Sequence, residues 1–407
     1  MTVAADVCIA GGGPAGIMLG LLLARQGVEV VVLEKHDDFF RDFRGDTVHP
    51  STLNLIDALG LRAGFDAVAH TPLPQLDAVI DGVRLHAIDF RTLPAPNRFI
   101  TLMPQGDLLD LLASAAARCP SFHLRMGATV TDVIRRDGRV QGVRAVSSDG
   151  EFEVSAALTV AADGRASTVR TRVGLEAHEY GVPVDVLWFR LPRPTAPLPD
   201  TLLWAGADAF LITIPRPGYL QCGLLIAKGT LDRVREAGLE AFRTRIASAA
   251  PRLAGVASRI DSWDDVKLLS VQIDRLPRWW MPGAVCIGDA AHAMSPAFGV
   301  GINYAVQDAV AAARLIVPAL AADDVPSALD RACAALQRRR AWPTALMQAL
   351  QRLVHRTIAT GRGIDVLHNP PTRRERRVLR LVLPVMRPLA ARVIGYGFRP
   401  ERIRSFR

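Results

Sequence analysis

The stretch AGGGPAGIMLGLLLARQGVEVVVLEK, Ala10 to Lys35, holds four glycines in its first seven residues and then turns apolar. Val7–Ala10 and Glu29–Glu34 are short β-branched, apolar runs. Between them Ala15–Gln26 is apolar at every helical position and is closed by Gly27, so the segment reads as strand, turn, helix, strand. The G-x-G-x-x-G spacing of Gly11, Gly13 and Gly16 falls where the first strand ends and the helix begins. Each glycine has a physical task there: Gly11 permits the tight turn, Gly13 lets backbone approach a pyrophosphate, and Gly16 lets helix and strand pack closely. The helix N-terminus presents unpaired N–H donors to the phosphate. Glu34, 18 residues past Gly16, ends the second strand, where an acid accepts hydrogen bonds from an adenosine ribose.

This fingerprint alone does not separate one dinucleotide from another, but two later segments narrow the choice. VAADGRASTVR, residues 160–170, sets Asp163-Gly164 after an apolar strand, with Ser167 and Arg170 on the following turn. CIGDAAHAMSPAFGVGIN, residues 286–303, ends a strand in Gly288-Asp289 and passes Pro296, Gly299 and Gly301 into a helix. An acid at that place takes sugar-alcohol hydroxyls, and the amides of a new helix suit a flat ring that carries negative charge when reduced.

Together the three segments resemble the FAD-dependent aromatic hydroxylases, the single-component flavoprotein monooxygenases of the p-hydroxybenzoate hydroxylase fold. GGGPAG with Glu34, then ADGRASTVR, then GDAAH with the P-x-x-G-x-G-x-N run stand in that family's order and separation. The resemblance implies that Gly11, Gly13, Pro14, Ala15, Gly16, Glu34 and Lys35 bind the adenosine half of FAD. It places Asp163 near the pyrophosphate and nicotinamide cleft, Asp289 on the ribityl chain, Pro296 against the isoalloxazine, and the amides near Gly301, Ile302 and Asn303 at its N1 and O2 edge, with Gly288 and Gly299 also among the cofactor-binding positions. Arg44 and Gln105 are similar to family positions that face FAD. Ser295 and Phe298 depart from it, standing where many relatives have proline and glycine. The implied reaction uses NADH or NADPH and O2: reduced FAD forms a C4a-hydroperoxide that hydroxylates a small aromatic or polycyclic phenol-like substrate. A flavin reductase without oxygen insertion and a non-catalytic flavin-binding protein are the rival readings.

The expected architecture is α/β. A Rossmann-like FAD-binding domain is drawn from residues 1–72, 101–178 and 275–340; a β-sheet substrate domain from 73–100 and 179–274; a C-terminal helical region spans 341–407. Ser51 is expected to cap a helix over Thr52–Leu59, and Gly106–Ala117 reads as another. Asp137-Gly138 marks a hairpin. Thr230 to about Ala249 reads as one charged helix, and Pro343, Pro384 and Pro388 as breaks in a helical C-terminal part. Trp188, Phe189, Trp204, Phe210 and Ile212 either line a dry pocket at the flavin edge or fill the sheet's own core. His292 has no visible partner and reads as packing. No catalytic acid or base is assigned.

The net charge of +9 sits at one end. Arg373–Arg407 carries eleven arginines against Glu375 and Glu401, leaving residues 1–372 balanced, so the body has no basic footprint for nucleic acid. The tail suits either peripheral contact with an anionic membrane or the solvated face of a helical cap, and its prolines favour the cap. Ile17–Ala24 is too short to cross a bilayer, and the five scattered cysteines point to a reduced, cytoplasmic setting without a metal site. There is no G-x-S-x-G, H-E-x-x-H or second G-x-G-x-x-G, and no W-x-W-x-I-P. A monomer or homodimer is expected.

Overall fold

The computed structural model describes residues 2–40, 47–80, 83–195, 201–206, 209–216, 218–359 and 386–403. An eight-stranded sheet runs in the order Trp280–Met281, Ala284–Cys286, Gly150–Ala161, Thr2–Ala10, Val30–Leu33, Phe122–Arg125, and the Thr129–Arg136 and Arg139–Ser147 hairpin extends it beside Gly150–Ala161. All pairings from Ala284–Cys286 to Phe122–Arg125 are parallel, and the sheet is covered on both faces, which is why these strands are near-continuous in Val, Ile, Leu and Ala.

The register decides where a ligand can go. Ala10 lies opposite both Ala161 and Leu33, and Ala161 opposite Cys286, so four strands end on one line. The segments that follow, beginning at Gly11, Ala162, Glu34 and Ile287, therefore emerge side by side. In open parallel sheets the carboxyl ends of the strands are where ligands bind.

A second, seven-stranded sheet is ordered Lys267–Leu269, Val184–Pro192, Tyr219–Ala227, Ala209–Arg216, Thr201–Gly206, Gln75–Ile80, Val83–Asp89. Strand alternation sends Leu187, Phe189, Trp204 and Leu211 outward against Phe242 and Ile246 of the Gly238–Ala249 helix. The other face, with Val186, Trp188, Ile212 and Ile214, joins an apolar cluster with Met294, Val300 and Tyr304 of the first unit.

Three local expectations give way. The charged helix after Thr230 is two helices, Leu231–Glu236 and Gly238–Ala249, because Gly238 adopts φ +88°. Pro343 does not break Val325–Ala359, since Arg339, Arg340 and Gln348 on either side are tied to Glu401, Asp308 and the Asp274 and Ala293 carbonyls. Pro388 likewise lies inside a helical stretch, 386–396, and Pro384 lies outside the described residues. Ser51 is not a cap: the helix is Pro50–Ala58 with His49 at its N-cap, and the Ser51 hydroxyl turns instead to Asn303.

Among the described residues one helical run, Ala297–Leu320, is long and apolar enough to cross a membrane, and most of it is buried inside the fold.

Candidate functional site

The N-terminal loop is shaped by what a side chain would hit. A Cβ on Gly16 would stand 1.9 Å from the Gly11 carbonyl oxygen, and one on Gly11 (φ +103°) 2.4 Å from that of Ala162. Gly13 differs: nothing lies within 4 Å of its Cβ position, and its backbone (φ −74°, ψ −175°) suits any residue. It is bare toward open space, as a pyrophosphate cradle requires. Pro14 and Ala15 start the helix just beyond it. Glu34 is buried, its Oε2 accepting from the Gly12 N–H at 2.8 Å and its Oε1 from the His36 N–H at 3.1 Å, so its carboxylate is fixed beside the loop. Lys35 is exposed on the same strand end.

The second and third loops meet through arginines. Arg165 Nε donates to Asp289 Oδ2 at 3.3 Å across 124 residues of sequence. Arg170 donates to the Ala290 carbonyl at 3.3 Å and to the Arg165 carbonyl at 2.5 Å. Asp163 accepts from the Val169 N–H at the start of a short helix, while its Oδ1 is buried with no hydrogen-bond partner. Burial pushes its carboxyl up, against hydrogen bonds from Ser167 and backbone amides that pull it down. A Cβ on Gly288 (φ +57°) would stand 3.2 Å from the Ala15 side chain, so its absence lets the third loop close on the first.

The Gly288–Asn303 loop is held mostly from a distance. The Ser51 hydroxyl donates to Asn303 Oδ1 and Thr52 does so at 3.0 Å, leaving Asn303 Nδ2 buried without a partner. Gln351 on the long helix donates to the carbonyls of Ser295 and Ala297, each at 2.9 Å, and Ser295 Oγ lies 2.5 Å from His355 Nε2. Phe298 adopts φ +68°, costly for a residue with a Cβ, and the next residue, Gly299 (φ +63°), has its carbonyl 3.1 Å from His49 Nε2. Burial pulls His49 down to about 4, against backbone hydrogen bonds at Gly299, Ile394 and Phe298 that raise it. His49 is therefore neutral at ordinary pH.

His292 is not partnerless. Its Nε2 lies 2.6 Å from Asp308 Oδ2, which also accepts from the Gly288 N–H at 3.1 Å, while Asp308 Oδ1 accepts from Arg340 Nε at 2.8 Å. Burial alone would raise the Asp308 carboxyl; His292 and Arg340 win and hold it below the usual carboxylate range. Arg340 continues to the Arg399 carbonyl and to Glu401, which also pairs with Arg314 and Arg339. Asp308, Arg340, Gln351 and His355 were missed in the sequence because their partners lie 16 to 61 residues away.

Of the other expected positions, Gln105 opens the Gln105–Ala116 helix, whose Gly106 has a Cβ position 3.1 Å from the Phe39 carbonyl oxygen. Arg44 lies outside the described residues. Pro296 and Gly301 are half-buried, Ile302 is buried, and Gly301, like Gly13, has nothing within 4 Å of its Cβ position. The five pocket candidates separate by strand alternation: Phe189 and Trp204 face the outer helix, while Trp188 and Ile212 face the Gly288–Asn303 loop, with Phe210 on the Ile212 side. Burial raises the thiols of Cys8 and Cys333 to about 12, which removes them as nucleophiles, and no metal-holding cluster occurs among the described residues.

Three loops at the carboxyl ends of a parallel sheet, two glycines bare toward open space and a fixed acid beside them define a dinucleotide site of the flavoprotein kind. The FAD binding domain family matches residues 4–349, and the chain belongs to it. It is 32% identical over 404 residues to 6-methylpretetramide 4-monooxygenase of Streptomyces rimosus, covering 98% of this chain and 94% of that one. It is 30% identical over 336 residues to kynurenine 3-monooxygenase of Salinispora arenicola, covering 75% of this chain and 70% of the relative. The anhydrotetracycline hydroxylase OxyS of Streptomyces rimosus superposes with a TM-score of 0.73 at 25% identity, over 97% of this chain and 76% of that one. The chain is a FAD-dependent monooxygenase, an oxidoreductase of the aromatic hydroxylase family.

Proposed function

We propose that the enzyme hydroxylates a fused-ring, phenol-like aromatic with electrons from NADH or NADPH and oxygen from O2. The observation that carries this reading is the placement of the Gly288–Asn303 loop between two surfaces. One side meets the Gly11–Gly16 turn through Ala15, and the other joins the apolar inner face of the second sheet. The likeness to 6-methylpretetramide 4-monooxygenase along nearly all of both chains supports a polycyclic substrate over a small phenol.

When bound, FAD supplies electron transfer to dioxygen and delivery of one oxygen atom. The chain's own residues bind, orient and exclude water. Gly11, Gly13 and Gly16, with Pro14 and Ala15, cradle the pyrophosphate on the helix N-terminus, and Glu34 and Lys35 take the adenosine ribose end. Asp289, oriented by Arg165, holds the ribityl hydroxyls. Pro296 would bound the flat ring system, and Gly299 with the amides of Gly301, Ile302 and Asn303 would supply donors to it. The orphaned Nδ2 of Asn303 fits such an edge, since a buried donor without an acceptor is costly. Asp163 stiffens the neighbouring turn by accepting the Val169 N–H of the Thr168–Arg172 helix that Ser167 caps; Gln105 and Arg44 are the remaining candidates for contact with FAD. Residues 1–72, 101–178 and 275–340 are assigned to the cofactor domain, 73–100 and 179–274 to the substrate domain, and 341–407 to a C-terminal region from which Gln351 and His355 brace the Gly288–Asn303 loop.

The test is anaerobic reduction of the FAD-loaded enzyme by NADH and by NADPH, with anhydrotetracycline or 3-hydroxybenzoate present, followed by oxygen uptake and product analysis. Faster reduction with the polycyclic compound, and one hydroxylated product for each O2 consumed, is the expected result. Reduction followed by hydrogen peroxide alone, with every compound, contradicts oxygen insertion.

A further inference from the structure

We propose that Trp188 recognises the substrate, its indole N–H donating a hydrogen bond to a carbonyl or phenolic oxygen of the fused-ring aromatic. The inference rests on the reading above and adds a donor that neither the cofactor nor the oxygen chemistry requires.

The second sheet offers its own control. Trp204 and Trp188 are both almost fully buried, at 3% and 6% exposure, on strands of one sheet. Trp204 faces the outer helix, and its Nε1 donates to Thr213 Oγ1 at 2.9 Å. Trp188 faces the other way, and its Nε1 is buried with no hydrogen-bond partner among the described residues. Burying an N–H without an acceptor is costly, and a phenylalanine would fill the same apolar space without that cost. An orphaned donor is explained where a ligand brings the acceptor, because a site built to pair with a substrate oxygen rejects molecules that lack it.

The placement agrees. Trp188 lies opposite Gly223, whose Cβ position is only 3.1 Å from Trp188 Cζ3, so the absence of a side chain there lets the indole lie across the neighbouring strand. The apolar cluster that Trp188 joins includes Met294 and Val300 of the cofactor loop, and Phe298 packs against it. Phe298 is held in its left-handed conformation between the Gln351 bond to Ala297 and the His49 contact to Gly299, a strained arrangement that puts an aromatic side chain against this cluster. Trp188 is the orphaned donor on the sheet's side of that assembly.

The experiment is titration of FAD-loaded wild type and Trp188→Phe with anhydrotetracycline, read by the change in flavin absorbance, together with the melting temperature and the FAD affinity of each. The expected result is a Kd raised about tenfold in Trp188→Phe, the value of one hydrogen bond, with FAD affinity within about twofold and an unliganded melting temperature equal or higher. An unchanged Kd overturns the proposal. Wild type that binds no anhydrotetracycline overturns the polycyclic reading and this inference with it. An independent measurement needs no variant: in wild-type enzyme carrying 15N-indole label on its six tryptophans, one buried N–H resonance shifts downfield on adding anhydrotetracycline. If none of the six moves, the proposal is wrong.

Discussion

The Gly11–Gly16 turn and the Gly288–Asn303 loop lie against each other, yet they are held by opposite means. The first is shaped within its own few residues: a glycine at each close approach, a proline to start the helix and an acid at the end of the next strand. The second contains a phenylalanine in a left-handed conformation and owes its shape to His49, Ser51, Thr52, Asp308, Gln351 and His355, none of them in the loop. Local backbone rules suffice for a phosphate cradle. A loop that also packs against the second sheet is braced from several elements.

The largest effect should come from the brace. Arg340→Met leaves Asp308 buried with one cation fewer, and removing one partner of a buried pair costs about 3–5 kcal/mol. We expect a melting temperature many degrees lower by calorimetry, and a comparable loss in Glu401→Gln, because Glu401 pairs with Arg314 and Arg339 as well as Arg340. Breaking the cradle comes next. Gly16→Ala puts a methyl 1.9 Å from the Gly11 carbonyl oxygen, and overpacking of this kind costs about 1–3 kcal/mol. Flavin retention on a desalting column should be lost in Gly16→Ala while the second sheet remains folded by circular dichroism.

The pH response sharpens the contrast, because the titrating group belongs to the brace. His49 has a folded pKa of about 4, below the unfolded value of about 6.5, so the unfolded chain binds the extra proton first. Its contribution is complete above pH 6.5 and is lost as pH falls from there to about 4, by about 3 kcal/mol in all. The burial of His355 acts in the same direction. Denaturant midpoints measured between pH 7.5 and 4.5 should fall steeply in wild type and less steeply in His49→Gln. The smallest effect is expected from Gln351→Ala, about 1–3 kcal/mol for two carbonyls left without their donor, seen as faster flavin loss at unchanged global fold.

The same contrast explains what was legible in the sequence. Gly11, Gly13, Gly16 and Glu34 could be picked out because a βαβ turn ties residue type to position over a few residues, and strands could be located as apolar runs punctuated by turns, but their order in each sheet could not. Ser51 was misread as a cap because a serine before a helix usually is one, and its bond to Asn303 spans 252 residues. His292 looked solitary because Asp308 sits on the next helix, a spacing with no local signature. Pro343 looked like a break because propensity says so, and only the packing of Arg340 and Gln348 against other elements outweighs it.

The central claim is that a single FAD lies across the Gly13 amide, and Gly13→Val tests it most directly. A Cβ there meets no atom beyond its chain neighbours and the backbone (φ −74°, ψ −175°) is open to valine, so the fold tolerates the change at the cost of a weaker N-cap. Titrating the flavin-free protein with FAD while following flavin fluorescence should give one site in wild type and none in Gly13→Val, at similar melting temperatures of the flavin-free forms. Equal FAD binding by the two proteins would contradict the account.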